Sequence, residues 1–405
     1  MSLARLPKLT ILGGSSPFTI ELIEQFASAS FEQAYHLVLH GRNSGQLDLI
    51  AVYATKLLRK AGWHIQCSIS LDDALYGADI LLHQNRYGGL VGRMEDESFA
   101  RKFGFPPDET LGPCGLKSAI RMAPYLRELS GKIMKLCPDA MVINLTNPLS
   151  IAVSIFHHCN VRNVVGICEL PVTTLEKVAK VLKLPPEEID WQYSGLNHRG
   201  FIHSVKFRGK DVFATFLEMI ADEGFNRFTC NEIEALGAIP LKYFHLFTES
   251  HHPEYRAQEV QLIGNRIIQE LLLEADHSPL SLKDRNMDWY ENGVIPLLKA
   301  MGSDSAKTLV LNTVNHSGLT IEGLTQVSQS SLTALESAKA PLEAGKWLQT
   351  FIKLESAVLT ASLDPTSQNI KQALELDPLA KDTEIDIMEK YISNVYHKEQ
   401  EHANT

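Results

Sequence analysis

Gly13-Gly14-Ser15-Ser16 follows the apolar run Leu9-Thr10-Ile11-Leu12 and precedes an amphipathic segment from Thr19 to about Phe26. A turn of small residues between a strand and a helix lets backbone N–H groups and the helix N-terminus approach a pyrophosphate, so Gly13, Gly14, Ser15 and Ser16 are candidate nucleotide-binding residues. The full GxGxxG spacing is absent, and the same residues serve equally well as a plain turn. Where the second apolar segment ends, at His40-Gly41-Arg42-Asn43, no acidic residue stands ready for a ribose hydroxyl. Arg42 suits a 2′-phosphate, an adenine face or water, which keeps NADP beside NAD as a candidate cofactor.

Cys168 stands apart from Cys67, Cys114, Cys137, Cys159 and Cys230 because it closes the apolar run Val164–Ile167 and is followed by Glu169 and then Pro171. Its thiolate and the imidazole of His198 are suitable donors for Mn²⁺, Co²⁺, Ni²⁺ or Fe²⁺, with substrate hydroxyls completing an open shell. Taken alone, a Cys and a His thirty positions apart are ordinarily structural. Arg86, Arg93 and Arg285 carry guanidinium forks that pair with a phosphate or a uronic carboxylate, or with carboxylates of the chain itself. The neighbours His157-His158 and His251-His252 point apart on any regular backbone and read as incidental.

These residues need elements to position them. Short apolar runs at Leu9–Leu12, Tyr35–Leu39, Ile65–Ile69, Asp79–Leu82, Met141–Asn144 and Val164–Ile167 alternate with helical periodicity at Thr19–Phe26, Leu47–Ala61, Lys117–Leu136 and Ser150–His157. That alternation predicts an α/β fold, a Rossmann-like doubly wound parallel sheet, in which ligands bind outside the carboxyl ends of the strands. Gly13, Gln84, Asn147 and Cys168 all fall at such ends. Beyond Pro171 the pattern loosens into a helix at Val172–Leu182, strands near Trp191–Tyr193 and Phe201–Phe207, and a helix-rich stretch from Pro341 to Tyr396, with Glu399–Thr405 as a loose tail. We divide the chain into a dinucleotide-binding domain, 1–170, and an α+β, helix-rich domain, 171–405, that carries substrate, metal and oligomer contacts.

Composition sets the outer limits. A chain of 405 residues exceeds one ordinary core, and 44% hydrophobic with 21% charged residues is globular. The net charge of -10 argues against a nucleic-acid partner, which needs a basic face. No apolar stretch is long enough to span a bilayer, and the N-terminus carries no signal-type segment, so the cytoplasm is the expected location.

Four ordered segments carry a family resemblance. Gln84-Asn85-Arg86-Tyr87-Gly88-Gly89, with Arg93, Asp96-Glu97 and Glu109-Thr110-Leu111-Gly112-Pro113-Cys114-Gly115, resembles a signature stretch of family-4 glycoside hydrolases. Asn144-Leu145-Thr146-Asn147-Pro148 is similar to that family's Asn-Phe-Thr-Asn-Pro element, Gly166–Pro171 resembles its metal-cysteine motif, and Gly195-Leu196-Asn197-His198 matches its metal-histidine motif. The match is strong over roughly the first 200 residues and weaker through Leu236–Tyr243 and Arg285–Tyr290.

The resemblance implies an NAD-dependent glycosidase with a divalent metal, expected to be Mn²⁺, on Cys168 and His198. It further implies oxidation at sugar C3, removal of the C2 proton, elimination of the C1 group, water addition and re-reduction, an exception to two-carboxylate glycosidase chemistry. Gln84 and Asn43 join the small-residue turn and Arg42 at the cofactor, and Asn147 reaches both nicotinamide and sugar. Tyr243, in an Ile-Pro-x-x-Tyr sequence, is the candidate base, and Lys242 or Arg285 the cation that would lower its pKa; the run Phe244-His245-Leu246-Phe247 departs from the tyrosines usual after it. Glu169 resembles the leaving-group acid of phospho-α-glucosidases, and the three arginines bind a 6-phosphate or a uronic acid. A homodimer or homotetramer is expected. Two other readings stay open: a lactate- or malate-type hydroxy-acid dehydrogenase, and a catalytically silent nucleotide-binding relative.

Overall fold

The computed structural model describes residues 5–248, 255–275, 277–329, 331–380 and 384–403, so His251-His252 lie outside the described residues. The first half alternates as expected: β1 (Lys8–Leu12), α1 (Thr19–Ser28), β2 (His36–His40), α2 (Ser44–Leu58), β3 (His64–Ser68), α3 (Leu71–Leu75), β4 (Ile80–His83), α4 (Gly89–Phe103), α5 (Gly112–Leu136), β5 (Met141–Asn144), α6 (Leu149–His158) and β6 (Val164–Gly166). These six strands are parallel, in the order β3-β2-β1-β4-β5-β6. Strands covered on both faces need mainly apolar runs, and β1, β4 and β5 supply them, with Thr10 of β1 satisfied by donating its hydroxyl to Ala74 O at 2.9 Å. Lys8 at the start of β1 is tolerated because its Nζ donates to Asp73 O at 3.0 Å and Tyr76 O at 2.8 Å. The strand order reverses between β1 and β4, which opens a crevice beyond Leu12 and His83.

The second half comprises α7 (Leu170–Leu182), β7 (Ile189–Leu196), β8 (Arg199–Phe207), β9 (Lys210–Asp211), α8 (Phe213–Met219), α9 (Cys230–Leu236), β10 (Ile239–Pro240), α10 (Ala257–Leu273), α11 (Ile295–Met301), β11 (Lys307–Val314), β12 (Thr320–Ser328), β13 (Ser331–Ala334), α12 (Leu342–Leu363), α13 (Ser367–Glu375) and α14 (Ile385–Ala403). It continues the same sheet: β11 joins β6 antiparallel, and β12, β7, β8 and β10 follow. The joints are narrow, one paired position at Asn312–Gly166 and one at Glu322–Gly195.

Several elements carry no clear signal in the sequence. The helix α4 lies inside the motif stretch, where Gly88, Gly89 and Gly92 mask its periodicity. The hairpin β11–β12 with β13 was hidden by polar residues such as Asn312, Glu322 and Thr325 that the structure buries. The loose tail expected from Glu399 is corrected in turn: α14 continues through Glu399 to Ala403. All six cysteines are free thiols, and no helix of the described residues is long and apolar enough to cross a membrane.

Candidate active site

A continuous cleft of about 1640 Å³ opens outside the carboxyl ends of the parallel strands. It is lined by Gly13, Ser15, Ser16, Arg42, Asn43, Gln84, Arg86, Arg93, Asn147, Cys168, Glu169, His198, Tyr243 and Arg285, so of the fifteen candidate site residues only Gly14 is absent from its walls. A volume on this scale exceeds the few hundred Å³ of a single small-ligand pocket and has room for two ligands side by side.

At the β1 end, Gly13 has φ +94°, and a Cβ there would sit 3.1 Å from Gln84 O and 3.0 Å from Asn85 Oδ1. Only glycine lets the backbone approach β4 so closely. The Gly13 and Gly14 amides both donate to His40 O, at 3.0 and 2.7 Å, lashing the turn to the end of β2. Gly14 therefore lies behind the turn, buried, and Ser15 and Ser16 face the cleft. Gln84 is held from both sides: its Nε2 donates to Thr19 Oγ1 at 3.0 Å, and its Oε1 accepts from Tyr290 Oη at 2.8 Å. Asn43 caps α2, its Oδ1 accepting from Gln46 N at 3.1 Å.

Beneath this wall sits His83, fully buried between Asn144 Oδ1 at 2.7 Å and Tyr87 Oη at 2.9 Å. Burial pushes its pKa down to about 4, so the ring is neutral and serves to orient Asn144, which in turn accepts from Thr146 N at 3.2 Å beside Asn147. This chain of bonds fixes the turn that presents Asn147.

At the opposite wall, β7 and β8 are joined by the two-residue turn Asn197-His198, with His198 at φ +64°. A histidine in the left-handed region is uncommon, and its side chain is correspondingly constrained. His198 is buried, its Nδ1 has no hydrogen-bond partner, and burial lowers its pKa to about 4. The ring is thus neutral, and a neutral imidazole always carries one lone pair. Asn197 Oδ1 is likewise buried without a partner. The Cys168 thiol is close by and buried; burial raises its pKa well above normal, Glu169 and Glu322 push it the same way, and a hydrogen bond with the Asn197 side chain opposes them. A neutral imidazole and an amide oxygen, both with unpartnered buried atoms, beside a buried thiol are a donor set suited to a cation.

The turn is held from behind by the buried carboxylate of Glu322. It accepts from Tyr193 Oη, from Asn312 Nδ2 at 2.8 Å and from Asn197 Nδ2 at 3.5 Å. Gly200 is obligatory next to it, since a Cβ there would fall 1.9 Å from Tyr193 Oη. Nothing in the sequence flagged Glu322, which lies far along the chain from both Cys168 and His198.

Tyr243 stacks on His198, centroids 4.4 Å apart at 26°, with Lys242 Nζ 4.9 Å from its ring centroid. It sits in a 3₁₀ turn, Lys242–Phe247, anchored by the buried ring of Phe244 against Phe201, Trp347 and Phe351. Burial raises the Tyr243 phenol, and Asp108, Cys168, Glu169 and Glu109 add to this. Burial also raises the Glu169 carboxyl, an effect that Lys242 opposes. Asp108 was missed in the sequence: its Oδ1 accepts from Thr110 N and Leu111 N, both at 2.8 Å, and its charge acts on both His198 and Tyr243. Its only signal was the pairing with Glu109 after Pro106-Pro107.

The three arginines separate into two kinds. Arg86 and Arg93 both pair with Glu109, Arg93 at 2.8 Å, and Arg93 also meets Glu97 at 3.1 Å. Burial alone would raise the Glu109 carboxyl, but Arg86 and Arg93 together hold it far below the carboxylate range. Among the described residues Arg285 has no ion pair. It packs 4.1 Å from the Phe18 ring centroid and 5.4 Å from that of Trp289, and burial lowers its pKa to about 10. An unneutralised, partly desolvated guanidinium at a cleft is the stronger anion site.

A parallel sheet of this strand order, opening at its switch point into a cleft with a cation-binding pocket, defines a nucleotide-binding α/β enzyme class. The sequence model of family 4 glycosyl hydrolases matches residues 8–184, and that of the family's C-terminal domain matches residues 193–380. The chain belongs to this family and is a glycoside hydrolase. It is 25% identical over 396 residues to the 6-phospho-beta-glucosidase BglT of Thermotoga maritima, covering 93% of this chain and 95% of that one. It is 27% identical over 339 residues to a 6-phospho-beta-glucosidase of Escherichia coli K12, covering 76% and 75%. A structure of the Thermotoga maritima enzyme with manganese, NAD⁺ and glucose-6-phosphate superposes with a TM-score of 0.85 at 21% identity, over 97% of this chain and 98% of that one. Malate dehydrogenase of Plasmodium falciparum shares the fold alone, with a TM-score of 0.52 at 13% identity over 88% of this chain and 99% of its own. The Rossmann-like expectation holds, and the family match favours the glycosidase over the dehydrogenase reading.

Proposed function

We propose that this enzyme cleaves the glycosidic bond of a 6-phosphorylated sugar with the help of a nicotinamide dinucleotide, NAD or its 2′-phosphorylated form, and a divalent metal, Mn²⁺ being the first candidate. The observation that carries the proposal is the pair of buried polar atoms without a hydrogen-bond partner, His198 Nδ1 and Asn197 Oδ1, beside the Cys168 thiol, in a cleft whose other end is the Gly13 turn. Relatives named as 6-phospho-beta-glucosidases, and one solved with manganese, NAD⁺ and glucose-6-phosphate, support the substrate and cofactor classes. The donor set fits the metal: Cys168 and His198 hold it, Asn197 stands beside them, and among the described residues no third Cys, His, Asp or Glu completes a closed shell. The turn fits the dinucleotide because it stands at the carboxyl end of β1, where Gly13, Ser15 and Ser16 line the cleft.

When bound, the dinucleotide supplies a hydride acceptor and the metal a Lewis acid. The chain supplies the rest. Residues 1–170 bind the dinucleotide through Gly13, Ser15, Ser16, Arg42, Asn43 and Gln84, and residues 171–405 bring His198, Tyr243 and Arg285 to the sugar. Asn147 lies between the two. Arg285 pairs with the phosphate, and Arg86 and Arg93, tied to Glu109, shape the adjoining wall. Tyr243 takes the proton from sugar carbon; burial keeps it a neutral phenol in the chain alone, and Lys242 beside its ring, together with a metal held by Cys168 and His198, would favour the ionised form that acts as a base. Glu169, its carboxyl raised by burial, is protonated more readily than an ordinary glutamate and gives its proton to the leaving oxygen. We assign the protein to the cytoplasm, where phosphorylated sugars are retained, as a homodimer or homotetramer, a state light scattering resolves.

The test is hydrolysis of nitrophenyl α- and β-glycosides, each 6-phosphorylated, uronic or unsubstituted, with a dinucleotide (NAD or NADP) and Mn²⁺ added singly, together or not at all under reducing conditions. Cleavage of a 6-phosphorylated member only with both additions supports the proposal. Cleavage of the unsubstituted members alone, or without either addition, refutes it.

A further inference from the structure

The adenosine end of the cleft carries a feature that the hydride chemistry does not use. Where β2 ends, His40 O receives both turn amides, His40 Nδ1 lies 2.9 Å from Ser68 O, and a Cβ at Gly41 would fall 2.3 Å from Ser15 Oγ. The end of β2 and the nucleotide turn are therefore in contact, and whatever ribose sits against the turn sits against residues 41–43. In folds of this class that position belongs to the ribose 2′ group, and an acidic side chain there accepts its hydroxyls. This chain has Gly41-Arg42-Asn43 instead.

Arg42 is exposed, lines the cleft, and among the described residues has no ion pair or side-chain hydrogen bond. Asn43 spends its Oδ1 on the Gln46 amide, which leaves its two N–H donors for a ligand, and the Gln46 side chain also faces the cleft. With the Ser15 hydroxyl, the set around the 2′ position holds a guanidinium, donor amides and a hydroxyl, and no carboxylate. Such a set recognises a phosphate monoester, whose charge near -2 and three acceptor oxygens match a guanidinium fork. A free 2′-hydroxyl gives the same fork nothing comparable.

We infer that Arg42 is a specificity-determining residue for the cofactor, and that the site accepts the 2′-phosphorylated dinucleotide in preference to the unphosphorylated one. The inference rests on the proposed dinucleotide site and deepens it. Its test is direct binding without turnover: titration of the full chain with NADPH and with NADH, followed by nicotinamide fluorescence, for the native chain, Arg42→Ala and Arg42→Asp. The native chain should bind NADPH at least about tenfold more tightly than NADH, and Arg42→Ala should cut that ratio by roughly ten- to a hundredfold. Arg42→Asp should reverse it. An equal or inverted native ratio, or a ratio that Arg42→Ala leaves unchanged, overturns the inference while leaving the dinucleotide site intact; the unchanged ratio is what stacking of the guanidinium on adenine would give. Failure of both dinucleotides to bind removes the site itself and the inference with it.

Discussion

The two ends of the cleft are built by different means. At the nucleotide end, Gly13, Gln84 and Asn147 stand at the carboxyl ends of β1, β4 and β5, where the strand order brings them together and side-chain bonds then fix their aim. At the sugar end, His198 rides on a two-residue hairpin in the left-handed region, Tyr243 on a 3₁₀ turn and Asp108 on a loop between helices. Regular topology positions the first set; buried anchors position the second, Glu322 behind the Asn197-His198 turn and Phe244 behind Tyr243. A site whose parts come from irregular backbone therefore depends on side chains that touch no ligand.

The contrast can be broken at several points, beginning with the largest effect. Cys168→Ser should remove metal binding, read by the electron paramagnetic resonance of free Mn²⁺, and lower turnover on the order of ten-thousandfold, as loss of a central catalytic group does. Dinucleotide binding at the far end should persist. Phe244→Ala should cost about 3–5 kcal/mol of stability by emptying an aromatic anchor, measured by denaturant unfolding, with the 3₁₀ turn and Tyr243 released together. A substitution of similar size among the parallel strands should lower stability without moving Tyr243.

The smallest effect concerns His83, under the nucleotide end. Its pKa falls from the ordinary 6.5 to about 4 in the folded chain, so the unfolded chain binds the proton first. The stability this neutral ring contributes is complete above pH 6.5 and is lost as the pH falls toward 4, by up to ~3 kcal/mol. Denaturant midpoints across that window should decline more steeply in the native chain than in His83→Gln; identical slopes would contradict the assignment.

The same contrast explains what was legible beforehand. The parallel strands announce themselves because burial on both faces demands continuous apolar runs, and their ends carry Gly13, Gln84, Asn147 and Cys168. Cys168 and His198 were recognisable through their motifs, since a Cys and a His so far apart have no spacing signal of their own. Glu322 and Asn312 were invisible: a polar residue in a strand reads as exposed, and both are buried at the narrow joints of the sheet, β12 to β7 and β11 to β6. The pairing of Arg86 and Arg93 with Glu109 was also hidden, because the carboxylate lies across a loop from both. Arg285, which matched only weakly, proves to be the arginine with an open guanidinium.

The most direct test of the central claim, that Tyr243 removes a proton from sugar carbon in a cleft loaded with dinucleotide and metal, is isotopic. Hydrolysis of a nitrophenyl 6-phospho-glucoside in deuterated water with NAD and Mn²⁺ should place deuterium at C2 of the released sugar phosphate, and Tyr243→Phe should suppress both the exchange and the turnover. Hydrolysis at an undiminished rate with hydrogen retained at C2 would contradict the account.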